Sequence, residues 1–141
     1  MTVLINARTG RTVASAVEVA NTRATRRRGL LGREALDVAA ALVLAPCWAI
    51  HTAFMRFPID VIFVDEEGRV LRVADSVGPW RIVATPRAYA AIELAAGAAS
   101  ARAVSVGARL YLRSAEGFAS ASSFFDSSFL RMATKPACSG S

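Results

Sequence analysis

The stretch CWAIHTAFMRFPIDVIFVD, residues 47–65, holds the chain's only histidine, His51, and Cys47, one of its two cysteines. Thr52, Arg56 and Asp60 follow closely. A cysteine four residues before a histidine invites a nucleophile–base reading, because an adjacent imidazole activates a thiol. In an extended chain the two would lie roughly 13 Å apart, whereas proton transfer needs about 3 Å. Only a helix would join them, and Arg56-Phe57-Pro58 does not continue one. One histidine and two cysteines, with no C-x-x-C or H-x-x-x-H pair, do not make an ordinary structural zinc site. His51 with Asp60 and Glu93 is the one ligand set that the residue types leave conceivable. The expectation is no metal and no cofactor.

The polar set left for function is His51, Arg56, Asp60, Trp80 and Glu93. Asp60 is flanked by Ile59, Val61 and Ile62, and a carboxylate in such company sits at an exposed edge or is paired. Two readings are open. Asp60 could cap turn amides or pair with an arginine such as Arg56 or Arg81. Alternatively it belongs to a polar patch in a β-domain cleft, lined by Trp80, that binds a ligand.

The elements that must position these residues are mostly strands. TVLI (2–5), the turn residues NARTG (6–10) and the alternating run 11–21 predict a hairpin. Asn21 and Thr22 offer N-cap oxygens to a short helix within 23–36, which Gly29 and Gly32 weaken. The run Arg26–Arg28 reads as a solvated face. Residues 40–45 form an apolar run short enough for a buried strand. A strand over 49–55 and a firmer one over 59–65 would meet near Pro58. The acidic loop 65–68, with Gly68 free to take positive φ, returns the chain into 69–77. Ile82 and Val83 fall in a loop between GPWR and TPR. A strand over 88–97, a short helix from 98 to 105 and a last strand over 109–113 complete the domain.

The whole chain has 141 residues, 54% hydrophobic and 20% charged. That suits one domain, residues 1–113, followed by a Ser-rich tail, 114–141, expected to be disordered. No apolar run is long enough to span a bilayer, and the first residues lack the pattern of a signal peptide. Two cysteines are no disulfide framework. The expectation is a cytoplasmic, reduced, monomeric protein. Net charge is +6, but no Lys/Arg block alternates with stacking aromatics. No sequence-specific nucleic-acid binding is expected, only weak, salt-sensitive attraction to polyanions through the segment Arg23–Arg33.

The order of motifs resembles a bacterial and archaeal family, domain of unknown function 192. ANTRATRRRGLLGREAL, IHTAFMRFPIDVIFVDEEGRVLRV, IELAAG and VGARLYL carry the resemblance, from about residue 12 to residue 113. Gly29 and Leu30 match the family's Gly-Leu. Pro58, Asp60, Phe63 and Asp65 match its Pro-x-Asp-x-x-Phe-x-Asp strand, and Glu93, Leu94 and Gly97 its Glu-Leu-x-x-Gly. Two departures stand out. The chain has Ile-His-Thr-x-Phe-Met where many members have Trp-Met-Lys-Asn-Thr, and Gly107-Ala108 where the family has Gly-Asp. The resemblance implies a small, mostly-β domain and assigns no activity. It also implies that many relatives carry export signals.

Pattern and resemblance agree on fold class: mainly β, a small antiparallel sandwich or barrel-like domain with one or two short helices. The leading functional expectation is a non-enzymatic ligand-binding or accessory module for a small ligand or a protein. The alternative is a hydrolytic or transfer enzyme using His51 with Asp60 or Glu93.

Overall fold

The computed structural model describes residues 2–30 and 32–114. The chain opens with the expected hairpin, β1 (Thr2–Asn6) antiparallel to β2 (Thr12–Ala20), with Gly10 at φ 71° in the turn. Thr22 then caps α1 (Arg23–Arg28). Its hydroxyl accepts from the Thr25 amide, and the Thr25 hydroxyl accepts from the Thr22 amide, so the helix start is closed reciprocally. Gly29, at φ 45°, ends α1 well short of residue 36. Next come β3 (Ala40–Leu44), β4 (Ala49–His51), β5 (Ile59–Val64), β6 (Val70–Val77), β7 (Ile82–Ala84), β8 (Ala90–Ala95), α2 (Ala98–Ala101) and β9 (Leu110–Ser114).

Seven strands form one sheet in the order β6-β5-β8-β3-β2-β1-β9. Only the β2–β3 pairing is parallel among the described strands. The sheet curls until its two ends approach. Arg69 bridges to Arg109, the Val70 amide donates to the Ala108 carbonyl at 2.8 Å, and the Leu110 amide donates to the Gly68 carbonyl at 2.9 Å. The concave side encloses Leu4, Val13, Val43, Ile62, Val64, Ile92 and Leu110, with α2 over one end. The convex side is covered by Leu30 and by a second sheet, β4 paired antiparallel with β7. Ile50 and Val83 of that small sheet pack with Leu44, Val61 and Phe63. β5 and β8 therefore carry a core on both faces, and every residue of each is buried. Their continuous apolar runs, rather than alternation, follow from that two-sided burial.

Several expectations need correction. Residues 49–55 are not one strand, and β4 is not joined to β5 as a neighbour; it pairs with β7, where a loop was expected. Strands of three residues are too short to show periodicity. The helix after Gly97 stops at Ala101, because Ala103 turns to φ 56° and directs Val104 into the core. Arg26 is not on a solvated face. It is 7% exposed, and its Nη1 donates to the carbonyls of Asn21 (3.0 Å) and Ala45 (3.3 Å). Burial, then Arg23, hold this guanidinium below its ordinary pKa, with Tyr89 opposing. Cys47 is fully buried, and Cys138, the chain's other cysteine, lies outside the described residues. The expected disordered tail lies outside the described residues.

Candidate functional site

The small sheet ends at the pair His51↔Ile82. Beyond it two loops, 52–58 and 78–81, are tied together by Thr52. This residue is fully buried. Its amide donates to the Arg81 carbonyl (2.8 Å), and its hydroxyl donates to the Gly78 carbonyl (2.6 Å) while accepting from the Arg81 amide (2.8 Å). Its carbonyl accepts from the amides of Trp80 (3.0 Å) and Met55 (3.1 Å). A β-branched residue with a hydroxyl suits the place: it ends a strand and completes the turn bonds.

The knot holds two aromatic residues in left-handed backbone, Phe54 at φ 65° and Trp80 at φ 63°. Non-glycine residues in that region cost on the order of 1–3 kcal/mol each and persist only where their surroundings impose them. Here the turns send Met55 into the core and both rings outward. Phe54 is 71% and Trp80 67% exposed, with ring centroids 4.7 Å apart and planes at 63°. Ile82, 80% exposed, shares the outer face of the small sheet with His51. Arg56 and Arg81 are exposed beside the rings in the chain, and Arg56 makes a loose ion pair with Glu34 at 3.7 Å.

The other members of the expected set are elsewhere. Asp60 stands opposite Leu94, and Val61 opposite Glu93. Residues directly across a ladder share a face and consecutive residues of a strand do not, so Asp60 and Glu93 point to opposite sides of the sheet. Asp60 faces the concave core. One carboxylate oxygen accepts from the Ser76 amide (2.8 Å), the other from the Ala99 amide (3.0 Å). The first bond stabilises a bulge in β6, where Ile59 pairs with Val77 but Val61 with Ala74, and Ser76 sits at φ 48°. The second serves the first turn of α2, whose N-cap, Gly97, has no side chain to offer. Glu93, fully buried, lies on the convex side, the side covered by the small sheet. The structure thus gathers Arg56 and Trp80 around the tip next to His51, and separates Asp60 from all three.

Among the described residues no cluster of three His, Cys, Asp or Glu could hold a metal ion. A cavity of about 280 Å³ beside α1, lined by Glu18, Thr25, Gly29, Arg33 and Leu42 among others, contains none of the five candidates. The residues that sequence reasoning left out of the candidate set are Thr52, Phe54 and Ile82. The available signal was an apolar segment broken by Thr52 and Arg56 and matched by a second short one after Pro79.

No curated protein matches the chain. Two crystal structures share its fold. One is a protein of unknown function from Novosphingobium aromaticivorans, 21% identical, TM-score 0.66, with 77% of this chain and 81% of that one covered. The other, put forward as a transcription regulator, comes from Sinorhizobium meliloti; it is 24% identical, TM-score 0.67, covering 77% and 89%. At these identities the likeness is one of fold. Residues 4–112 match the family described as uncharacterized ACR. The chain belongs to that family, domain of unknown function 192.

Proposed function

We propose that this domain is a non-enzymatic binding or accessory module, and that it meets its partner with the tip formed by Phe54, Trp80 and Ile82. The observation that carries this reading is the pair of exposed rings held in left-handed backbone by a fully buried threonine. Strain of that kind, combined with large apolar groups in water, has no benefit for the fold; both costs fall where a surface is kept ready to be covered. Rigid aromatic side chains are also the groups that dominate recognition surfaces. His51 and Arg56 flank the tip and supply polar contacts. Asp60 has a separate occupation, bracing β6 and α2, and an enzyme built on His51 and Asp60 has no support in their placement on opposite sides of the sheet. Attraction to polyanions is weak and nonspecific in this reading, because Arg26 is buried and Arg33 is paired with Glu18 at 2.6 Å.

A thermal-shift screen of small ligands and peptides against the full chain and its Phe54→Ala/Trp80→Ala variant tests the reading. The unliganded variant should stay within about 0.5 kcal/mol of wild type, since exposed positions contribute little to stability, and should lose the shift produced by any hit. Hits that stabilise both chains equally would place recognition elsewhere.

A further inference from the structure

The shape and charge of the tip point to a kind of partner. The rings meet at 63° and stand clear of the surface. They form a wedge, not the flat shelf that stacks on a sugar ring nor a concavity that encloses a small molecule. Segments 47–58 and 78–84 contain Arg56 and Arg81, and no acidic residue; the acid that reaches this region is Glu34, through its loose pair with Arg56. The whole chain carries +6. The backbone at the base of the wedge is already bonded: the amides of Met55, Trp80 and Arg81 and the carbonyls of Gly78 and Arg81 are all satisfied by Thr52. Internal bonding is what allows backbone to leave water for an apolar phase.

Trp and Phe beside Arg are the residues that settle at a membrane–water interface, rings among the upper acyl carbons and guanidinium groups among the phosphates. We infer that the Phe54–Trp80–Ile82 wedge docks on an anionic lipid bilayer, inserting its rings at the interface while Arg56 and Arg81 meet the headgroups. Attachment is peripheral and reversible: no described helix is long and apolar enough to cross a membrane. Electrostatic attraction brings the chain to the surface, and ring burial holds it there. The inference rests on the reading of the tip as the recognition surface.

Co-sedimentation of the full chain with vesicles of phosphatidylcholine, alone or mixed with phosphatidylglycerol, tests it. Binding is expected to the anionic vesicles only, falling as salt rises. Phe54→Ala and Trp80→Ala should each weaken it about tenfold or more, and Arg56→Ala/Arg81→Ala comparably. Brominated lipid should quench wild-type fluorescence and quench Trp80→Phe much less, since Trp48 then remains as the sole indole. Circular dichroism of each variant confirms folding, and the arginine pair keeps the test decisive if a ring variant misfolds. No binding to anionic vesicles, equal binding to neutral ones, or binding untouched by the ring variants would overturn the bilayer. If vesicles fail but the ring variants abolish a peptide hit from the thermal-shift screen, the bilayer falls and the tip stands as a protein-binding surface. If self-association of the wild type is what the ring variants abolish, the occupant is a second copy and the bilayer is equally overturned.

Discussion

Asp60 carries one of two fully buried carboxylates among the described residues, and its two oxygens hold apart pieces of chain together: the bulge of β6 and the start of α2. Charged acceptors make stronger bonds to amides than neutral ones. Asp60→Ala removes both bonds and leaves the Ala99 amide buried without an acceptor, so it should cost about 3 kcal/mol. Asp60→Asn should cost less, since one amide keeps a carbonyl acceptor while the other meets the new NH2 group. Urea denaturation of both variants measures the difference; a fully stable Asp60→Ala chain would remove the bracing role. The neighbours of Asp60 announced a paired or capping carboxylate, and its partners are amides as one reading held. Nothing in the residue string identified Ser76 or Ala99 as those partners, because both are set by a bulge and a four-residue helix that have no sequence signature. Phe54 escaped, and Trp80 was named only as the lining of a cleft, for the same kind of reason: a left-handed φ at an aromatic residue is imposed by tertiary bonds to Thr52, not by local propensity.

At the scale of elements, legibility followed length and punctuation. The β1–β2 and β5–β6 hairpins were readable because apolar runs flank turn chemistry, with Asp65 accepting from the amides of Glu67 and Arg69 and Gly68 at φ 84°. β4 and β7 were not, since three residues carry no period and their pairing spans a long excursion. α1 illustrates a middle case. Its cap and the weak point at Gly29 were visible, but its orientation was not, and that orientation buries Arg26 near Tyr89 at the junction of α1, β3 and β8. Burial, then Glu66, raise the Tyr89 hydroxyl above its ordinary 10.0, against a lesser opposing pull from Arg26. The folded chain therefore holds this proton more tightly than the unfolded chain does. The associated stability is complete below pH 10.0 and is lost as pH rises through the raised value. Thermal melts across the alkaline range should show that decline, and Tyr89→Phe should flatten it. An unchanged alkaline slope in the variant would assign the decline to another group.

For the whole molecule, the decisive feature is closure. A curled sheet whose ends did not meet would expose β6 and β9 as open edges, which invite pairing between chains. Here Gly107, Ala108 and Leu110 bond across to Gly68 and Val70, and Arg109 Nε donates to the Glu67 carbonyl at 3.2 Å. β9 also forms the outer partner of β1 along its whole length. The last strand is thus joined to the first strand on one side and, at its start, to the turn of the β5–β6 hairpin on the other. This fixes where the chain can be cut. A chain ending at Ser114 keeps every one of these bonds and should fold to a cooperative transition close to that of the full protein. A chain ending at Arg109 loses Leu110 from the concave core, leaves β1 without its outer partner β9, and unseals the corner at Gly68. It should be insoluble or lack a cooperative transition, because closure is a long-range contact that nothing local replaces. Circular dichroism melts of the two truncations distinguish them. If the shorter chain melts like the longer, the seam contributes nothing and the sheet holds its curl through β5 and β8 alone.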